Sequence, residues 1–188
     1  PFYEGSVGIP EVGIFLAGHP SLPEMQTSFA EEGAVLAFGE AHYDTHVLDD
    51  SLDLMRYSLV VLPDFTVITD TLYEKLRAYY QKGGKLILSY RAGYGLDGKW
   101  KLDFLPLEFH GEVKKFPTYW RTPEAFWKET KSSDRVFYEA GLQVKGGQDT
   151  QVLIQRVLPY FKRTDEHFMS HFQTPPVANA DQYPAVIE

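Results

Sequence analysis

The sequence predicts an α/β domain with an open, mostly parallel sheet flanked by helices, followed by an irregular, aromatic-rich second half. In the first half, short apolar runs alternate with amphipathic helical stretches, which is typical of a parallel sheet covered on both faces. In the second half, glycine, proline and aromatic residues are frequent and no helical period is sustained. Within one 188-residue domain we expect regular β/α units over 9–92, an irregular extension over 93–176 and the start of another strand over 177–188.

Four short runs in the first half are predicted to be strands. Most carry apolar residues at consecutive positions and are bounded by glycine, proline or polar residues, as expected of strands buried on both faces. The runs are Glu11–Ala17, Asp44–Leu48, Leu59–Pro63 and Lys85–Ser89. Right-handed crossovers would join them into one sheet.

Two helices are predicted between these strands. The first begins at Ser21 or Pro23, and its apolar positions recur at helical spacing. Those positions are Met25, Phe29, Gly33, Leu36 and Ala37. The second spans Asp70–Gln81, with Thr69 and Asp70 at its start and a glycine pair at its end. Its apolar stripe consists of Leu72, Leu76 and either Tyr79 or Tyr80.

The second half contains fewer regular elements. Ser133–Tyr138 and Thr150–Leu158 are predicted strands, and Gly141–Gln148 is predicted to be a turn-rich connection. Glu166–Phe172 is either one helical turn or an extended aromatic loop. The prolines of Thr174–Pro176 end it in both cases.

Composition excludes several classes of protein. The net charge of −8 argues against a nucleic-acid partner, since binding phosphates needs a basic face. No apolar run approaches the roughly 20 residues that span a bilayer, so no membrane partner is expected. The chain has no cysteine, which removes disulfides, thiolate metal sites and thiol nucleophiles. The absence of cysteine leaves the cellular compartment undetermined, and a cytoplasmic location is favoured.

The charge is distributed unevenly along the chain. Residues 1–60 carry ten acidic groups and one base, Arg56, whereas residues 61–188 have a net charge of +1. The first interpretation is a solvated acidic surface. The alternative is an acidic face that meets a basic surface elsewhere.

The two ends suggest a longer polypeptide. The chain starts at Pro1 without an initiator methionine, and Tyr183–Glu188 resembles the beginning of a strand. We therefore expect a piece of a multidomain protein.

Ligands of open α/β sheets bind beyond the carboxyl ends of the strands. Those positions hold Gly18-His19, Pro63-Asp64 and Ser89–Gly93, and none of them is a phosphate-binding loop, so no cofactor is expected. Ser89–Gly93 could form the sharp strand-to-helix turn that presents a nucleophile in hydrolases. Its central residue, Arg91, cannot act as a nucleophile. We expect no catalytic residue here, and Arg91 and Tyr94 are candidates for ligand contact or an active-site rim.

His167 and His171 are a weak metal-site candidate. Four residues apart, they would share one face of a helix and could bind zinc. A third ligand is missing nearby, and an aromatic packing segment explains the same pattern, so no metal site is predicted. Together with Glu166, the two histidines are candidates for an active-site rim.

Aromatic residues in irregular segments could stack on sugars. The candidates are Trp100, Tyr119, Trp120 and Trp127. Such residues also form cores and interfaces. Carboxylates of the kind that cleave glycosides are present, but the sequence does not pair them.

The block from Tyr57–Pro63 through the second helix to Lys85–Gly93 resembles the trimerisation domain of microbial β-galactosidases. That family resembles class I glutamine amidotransferases in fold, which implies a flavodoxin-like or amidotransferase-like three-layer arrangement. Against the amidotransferase pattern G-x-C-x-G, Arg91 stands at the position of the cysteine nucleophile. The stretch Pro159–Pro176 resembles related glycoside hydrolases, including some α-L-fucosidases, in which such a domain follows a catalytic (β/α)8 barrel.

The resemblance implies a non-catalytic oligomerisation or accessory domain of a glycoside hydrolase of β-galactosidase or α-L-fucosidase type. Its expected partners are other copies of the same protein and an upstream (β/α)8 barrel, with carbohydrate as a further candidate ligand. The first alternative is a carbohydrate-binding module. The second is an independent hydrolase that uses His167 or His171 with a carboxylate.

Overall fold

The chain divides into two compact units, unit 1 (Pro1–Phe104) and unit 2 (Leu105–Glu188). The structure is a computed structural model that describes residues 4–5, 8–16, 29–115, 117–123, 132–139, 141–169 and 174–188. Both helices of eight or more residues in this described part lie in unit 1. Neither of them is long and apolar enough to cross a membrane.

Unit 1 is built on a four-stranded parallel sheet. Its strands are β1 (Val12–Phe15), β2 (Thr45–Leu48), β3 (Leu59–Leu62) and β4 (Lys85–Leu88). The order is β2-β1-β3-β4, and each strand lies inside the run predicted for it. The central strands are buried along almost their whole length, as consecutive apolar residues predict. The predicted α/β class with a parallel sheet is therefore confirmed.

Helix α1 (Ala30–Glu40) packs on the sheet through a different face from the predicted one. The helix residues against the core are Ala34, Val35 and Phe38. The predicted face points outward, since Leu36 is 59% exposed and Phe29, just before the helix, is 81% exposed. Gly33 and Ala37 are exposed too. The predicted start at Ser21 or Pro23, and Met25, lie outside the described residues. The predicted face was wrong because apolar residues occupy both sides of this short helix, so spacing alone does not select the inner side.

Helix α2 (Asp70–Gln81) has the predicted bounds. Thr69 Oγ1 accepts a hydrogen bond from the backbone N–H of Leu72 at 3.1 Å, which satisfies one unpaired donor of the first turn. Of the two tyrosines considered for its stripe, Tyr79 is buried, and its hydroxyl donates to the carbonyl of Tyr57 at 3.1 Å. The helix is therefore fixed at its start by the cap that the sequence predicts and near its end by a contact with a distant residue.

Unit 2 contains two antiparallel sheets in its described part. The smaller pairs β5 (Leu107–Glu112) with β8 (Leu142–Gly146). The strands of the larger are β6 (Thr118–Arg121), β7 (Asp134–Phe137), β9 (Val152–Val157) and β10 (Val186–Ile187). Their order is β10-β9-β6-β7. Strands β7 and β9 lie inside the predicted runs, and β10 lies in the predicted final strand.

The prediction of a turn-rich connection over Gly141–Gln148 was wrong, because β8 occupies most of that segment. Its partner β5 lies about 30 residues earlier in the chain and contains Gly111 at φ +108°, where the register shifts. Strands β5 and β6 also interrupt the extension that was predicted to be irregular. Long-range pairing supplies the backbone partners of these strands, and local sequence patterns do not show it.

One charged pair fixes the edge of the larger sheet. Arg121 and Asp134 lie opposite each other on β6 and β7, and Nε and Nη2 of the arginine donate to the two carboxylate oxygens, both at 2.7 Å. The remaining Nη1 donates to the carbonyl of Ala178 at 2.9 Å. The hydrogen bonds to Asp134 raise the pKa of Arg121 above its ordinary value. A bidentate arginine–carboxylate pair of this kind is stronger than an ordinary surface ion pair.

Candidate functional site

The carboxyl ends of β3 and β4 carry two non-glycine residues in the left-handed backbone region. Phe65 follows β3 with φ +64°, and Tyr90 follows β4 with φ +42°. Thr66 holds the first turn, since its backbone N–H and its hydroxyl both donate to the carbonyl of Pro63, at 3.0 and 2.7 Å. Such backbone conformations cost about 1–3 kcal/mol each and are concentrated at functional sites. These two turns are therefore the first place to examine for function.

The side chains at these turns form a cluster of rings around one cation. The rings of Phe65 and Tyr90 meet edge to face, with centroids 5.5 Å apart. The guanidinium carbon of Arg91 lies 5.6 Å from the ring centroid of Tyr90 and 5.8 Å from that of Tyr94. All four side chains are half-buried. The positive charge of Arg91 is thus held between two aromatic faces.

A compact ribbon of turns follows β4, in place of the predicted strand-to-helix turn. Tyr94 pairs with Trp100 across an antiparallel bridge, and Lys101 N donates to the carbonyl of Gly93 at 2.8 Å. The rings of Tyr94 and Trp100 meet edge to face at 6.2 Å. The expected helix after the strand is absent from the described residues 89–104. The strained backbone position is that of Tyr90, one residue before the arginine that the sequence pattern aligned with a nucleophile.

The chemistry of this cluster is set by a cation and three rings. The guanidinium of Arg91 stays protonated and has no lone pair with which to attack. Across the described residues of the chain, no group of three His, Asp or Glu side chains is placed to hold a metal ion. The strained turns therefore place rings and a permanent cation at the edge of the sheet.

Glu166 and His167 belong to an exposed turn in unit 2. The loop that carries them is closed at its base, where the N–H of Val177 donates to the carbonyl of Leu158 at 3.0 Å. At its tip, Thr164 N donates to the carbonyl of His167 at 2.9 Å, and His167 N donates to Thr164 Oγ1 at 3.0 Å. We name residues 160–168 the aromatic turn. Its described residues form an extended loop without a helix, while His171 lies outside the described part.

Rings stabilise the aromatic turn internally. The imidazole of His167 stacks on the ring of Phe161, with centroids 4.0 Å apart and planes 7° from parallel. Tyr160 and Phe168 are 73% and 62% exposed. That the aromatic turn forms part of an active-site rim stays a prediction.

The four candidate sugar-stacking residues are placed differently from one another. Tyr119 is buried, and its hydroxyl donates to the carbonyl of Thr174, so its ring belongs to the core of unit 2. Trp120 stacks on Phe137 at 4.3 Å, which covers one face of the indole. Trp100 packs in the ribbon of turns, and Trp127 lies outside the described residues. Sugar stacking by the tryptophans stays a prediction, while Tyr119 has a structural role instead.

An apolar groove in unit 1 was missed by the sequence reasoning. It has a volume of about 200 Å³, and Glu31 and Glu32 of α1 line it beside apolar side chains. The apolar lining consists of Ile14, Phe15, Leu16, Val35, Leu36 and Val47. In the sequence, the groove is indicated only by Leu36, an apolar residue on the side of α1 opposite to Ala34, which packs on the core. A second cavity, between α2 and the loop of residues 51–55, is lined partly by Lys75, whose ammonium group already donates to two carbonyls.

Comparison with known families places these features in context. Residues 36–99 match the family model described as the β-galactosidase trimerisation domain. This match covers β2, β3, α2, β4 and the Arg91 turn. It confirms the resemblance that the sequence predicts. Among curated proteins, no match to the chain is found.

Solved structures resemble the chain over most of its length. An α-L-fucosidase isoenzyme from Paenibacillus thiaminolyticus is 25% identical over 97% of this chain, with a TM-score of 0.82. A GH42 β-galactosidase from G. stearothermophilus is 15% identical over 85%, with a TM-score of 0.61, and shares the fold. A ThuA-like protein from Bacteroides uniformis also shares it, at 16% identity over 80% and a TM-score of 0.56. The chain spans only 28% of the fucosidase, 25% of the galactosidase and 70% of the third protein.

Proposed function

We propose that this chain is a non-catalytic oligomerisation and accessory domain of a glycoside hydrolase of β-galactosidase or α-L-fucosidase type. The observation that carries the proposal is the match of residues 36–99 to a trimerisation domain. That stretch contains three of the four sheet strands of unit 1 and the turn that carries Arg91. The likeness to an α-L-fucosidase over 97% of the chain supports extending the assignment to both units.

The chemistry of the turn supports a role without catalysis. At the end of β4, a strained backbone presents Tyr90 and a charged Arg91, with the guanidinium between two rings. Groups of this kind recognise and position a partner, because aromatic rings and arginine contribute most to protein interfaces. In this proposal Arg91 and Tyr94 contact the rim of a neighbouring active site, and no cofactor takes part.

The proposed partners are other copies of the same chain and a catalytic (β/α)8 barrel in the same polypeptide. A barrel of this fold takes about 250 residues. The chain corresponds to about a quarter of the similar hydrolases, so their remaining length accommodates such a barrel. We place the barrel upstream of this chain, and residues 1–188 act as one accessory domain beside it.

The proposal includes a three-layer, flavodoxin-like arrangement of unit 1. Consecutive residues of β1 and β3 are buried, so both faces of the central sheet are covered. Helix α1 contacts the face that carries Val12, Ile14 and Val61. The proposal assigns the opposite face to α2, whose Leu72, Leu76 and Tyr79 are buried.

Sedimentation velocity and glycosidase assays on the purified chain test this function. We expect a concentration-dependent oligomer, with a trimer as its largest species, and no turnover of aryl β-galactosides or aryl α-L-fucosides. A strict monomer at every concentration would refute the oligomerisation role. Turnover that disappears in His167→Ala but persists in the control His110→Ala would refute the non-catalytic role.

Carbohydrate binding is the competing function. Calorimetric titration of the chain with galactose- and fucose-containing oligosaccharides separates the two, because a binding module responds without any barrel attached. A monomeric chain that binds such sugars would replace oligomerisation by carbohydrate binding as the function of this domain.

A further inference from the structure

We propose that the apolar groove of unit 1 receives the aromatic turn of a neighbouring copy of this chain. The inference rests on the proposed oligomerisation function and names the two surfaces that carry it. One self-complementary patch pairs two copies about a two-fold axis and cannot close a ring of three. Each copy in a trimer must therefore present two different surfaces that fit each other.

The groove provides the first of these surfaces. It lies between α1 and the strands β1 and β2, and its lining is apolar except for Glu31 and Glu32. Leu36 and Val47, which line it, are 59% and 54% exposed. Strands of a parallel sheet are ordinarily covered on both faces, so exposure of Val47 on edge strand β2 indicates a surface that another molecule covers.

The aromatic turn provides the second surface. Tyr160 and Phe168 are 73% and 62% exposed, in a loop whose tip is closed by its own hydrogen bonds. The stack of Phe161 on His167 joins the two sides of the tip. A preorganised element loses little conformational entropy on docking, so its exposed rings contribute more of their burial energy to association.

Charge complementarity selects this turn as the occupant of the groove. The half of the turn that begins with Tyr160 and Phe161 continues with two exposed bases, Lys162 and Arg163. The acidic residues of the turn follow only after Thr164. The groove has two glutamates on its wall, in a stretch of 60 residues with a single base. Insertion of the basic half therefore places rings in an apolar groove and cations beside carboxylates.

A charge exchange tests the contact directly. Glu32→Lys alone and Lys162→Glu alone each place like charges together, and we expect each to weaken trimer association about three- to tenfold in sedimentation equilibrium. The double variant restores opposite charges with the polarity reversed, so it should return association to near the wild-type value. Both residues are exposed, and circular dichroism of each variant verifies the fold.

Matched apolar substitutions test the groove and the turn separately. Leu36→Gln should weaken association about tenfold or more, whereas the control Leu96→Gln, at an exposed leucine outside the groove, should leave it unchanged. Tyr160→Ser should act like Leu36→Gln, and Tyr138→Ser is its control, at another exposed tyrosine of unit 2. Weaker association of Leu36→Gln and Tyr160→Ser, with no change in the two controls, supports the proposed contact.

The results separate this inference from the proposed function. A wild-type chain that stays monomeric refutes the oligomerisation role and the contact with it. A wild-type trimer that tolerates both single charge reversals and Leu36→Gln overturns the contact while leaving oligomerisation intact. Weakening by both reversals without restoration in the double variant also overturns it, because the groove then has another occupant, such as the barrel.

Discussion

Replacing Gly93 by alanine should destabilise unit 1 through two additive effects. Gly93 has φ +137°, which a residue with a side chain rarely adopts, and an added Cβ would lie 2.6 Å from Cζ3 of Trp100. Backbone strain of this kind costs about 1–3 kcal/mol. Inserting a methyl group into a packed site costs about 1–3 kcal/mol more. We therefore expect the free energy of unfolding to fall by about 2–6 kcal/mol.

Two other glycines of unit 1 separate these effects. Gly98 has φ +68° with no atom within 4 Å of an added Cβ, so Gly98→Ala measures backbone strain alone. At Gly84 an added Cβ would lie 2.3 Å from Cε1 of the buried Tyr79, and its φ lies outside the left-handed range. Gly84→Ala therefore measures steric overlap alone. Gly93→Ala should exceed Gly98→Ala by the cost of the clash with Trp100 and by the larger backbone strain at φ +137°, which lies far from the left-handed helical region that Gly98 occupies.

Urea unfolding followed by circular dichroism gives these free energies by linear extrapolation. The clash is tested further in a Trp100→Leu background, where Gly93→Ala should cost less than in the wild type by the steric contribution that the double-mutant cycle isolates. If Gly93→Ala costs no more than Gly98→Ala in the wild-type background, then Trp100 does not pack on Gly93. The ribbon that positions Arg91 would then need a different account.

Three further measurements address other contacts. Burial lowers the pKa of Arg156, and the charge of Asp181 opposes this, while Nη1 of Arg156 and Oδ2 of Asp181 are buried without a hydrogen-bond partner. Asp181→Asn should therefore lower the free energy of unfolding, and it should lower it less in an Arg156→Met chain, where no cation needs the carboxylate. Equal losses in both chains would contradict this. Tyr119→Phe leaves the carbonyl of Thr174 without its hydroxyl donor and should cost about 1–2 kcal/mol in urea unfolding, while Tyr160→Phe serves as the exposed control. A hydrogen bond from Lys101 lowers the pKa of Asp97 from its ordinary 3.8. The stability that the ionised carboxylate contributes is therefore complete above the pKa of the unfolded chain and is lost as the pH falls through the pKa of the folded chain. The urea midpoint of Asp97→Asn should fall less than that of the wild type between about pH 7 and pH 2.

The sequence predicts those elements whose signals are local. Helix α2 has its predicted bounds because Thr69 caps its first turn and Gly83 adopts φ +87° after its end. The central strands follow from runs of consecutive apolar residues. In each case the residues that determine the element lie inside it or next to it.

Features that depend on distant partners were not predictable in the same way. Strand β8 forms because β5 supplies its hydrogen-bond partners from a distant stretch of chain. The inner face of α1 is chosen by the sheet, which selects Ala34 over Leu36. The left-handed backbone at Tyr90 is also invisible in the sequence, since tyrosine has no intrinsic preference for it. The sequence predicts a candidate site at the end of β4, but it does not show that Tyr90 is the strained residue there.

The strained turns at the sheet edge bear directly on what this domain does. Phe65 and Tyr90 each adopt a conformation that costs about 1–3 kcal/mol, and packing around them must offset that cost. In an enzyme with this turn, the strain displays a nucleophile. Here the strained residues bring two rings into edge-to-face contact, and the next residue, Arg91, places its cation against one of them. A cation fixed in this way keeps its charge at every physiological pH and is already ordered before a partner arrives. The strained turns of this chain, which differ from the strand-to-helix turn of such enzymes, are thus suited to present an ordered surface of rings and a cation.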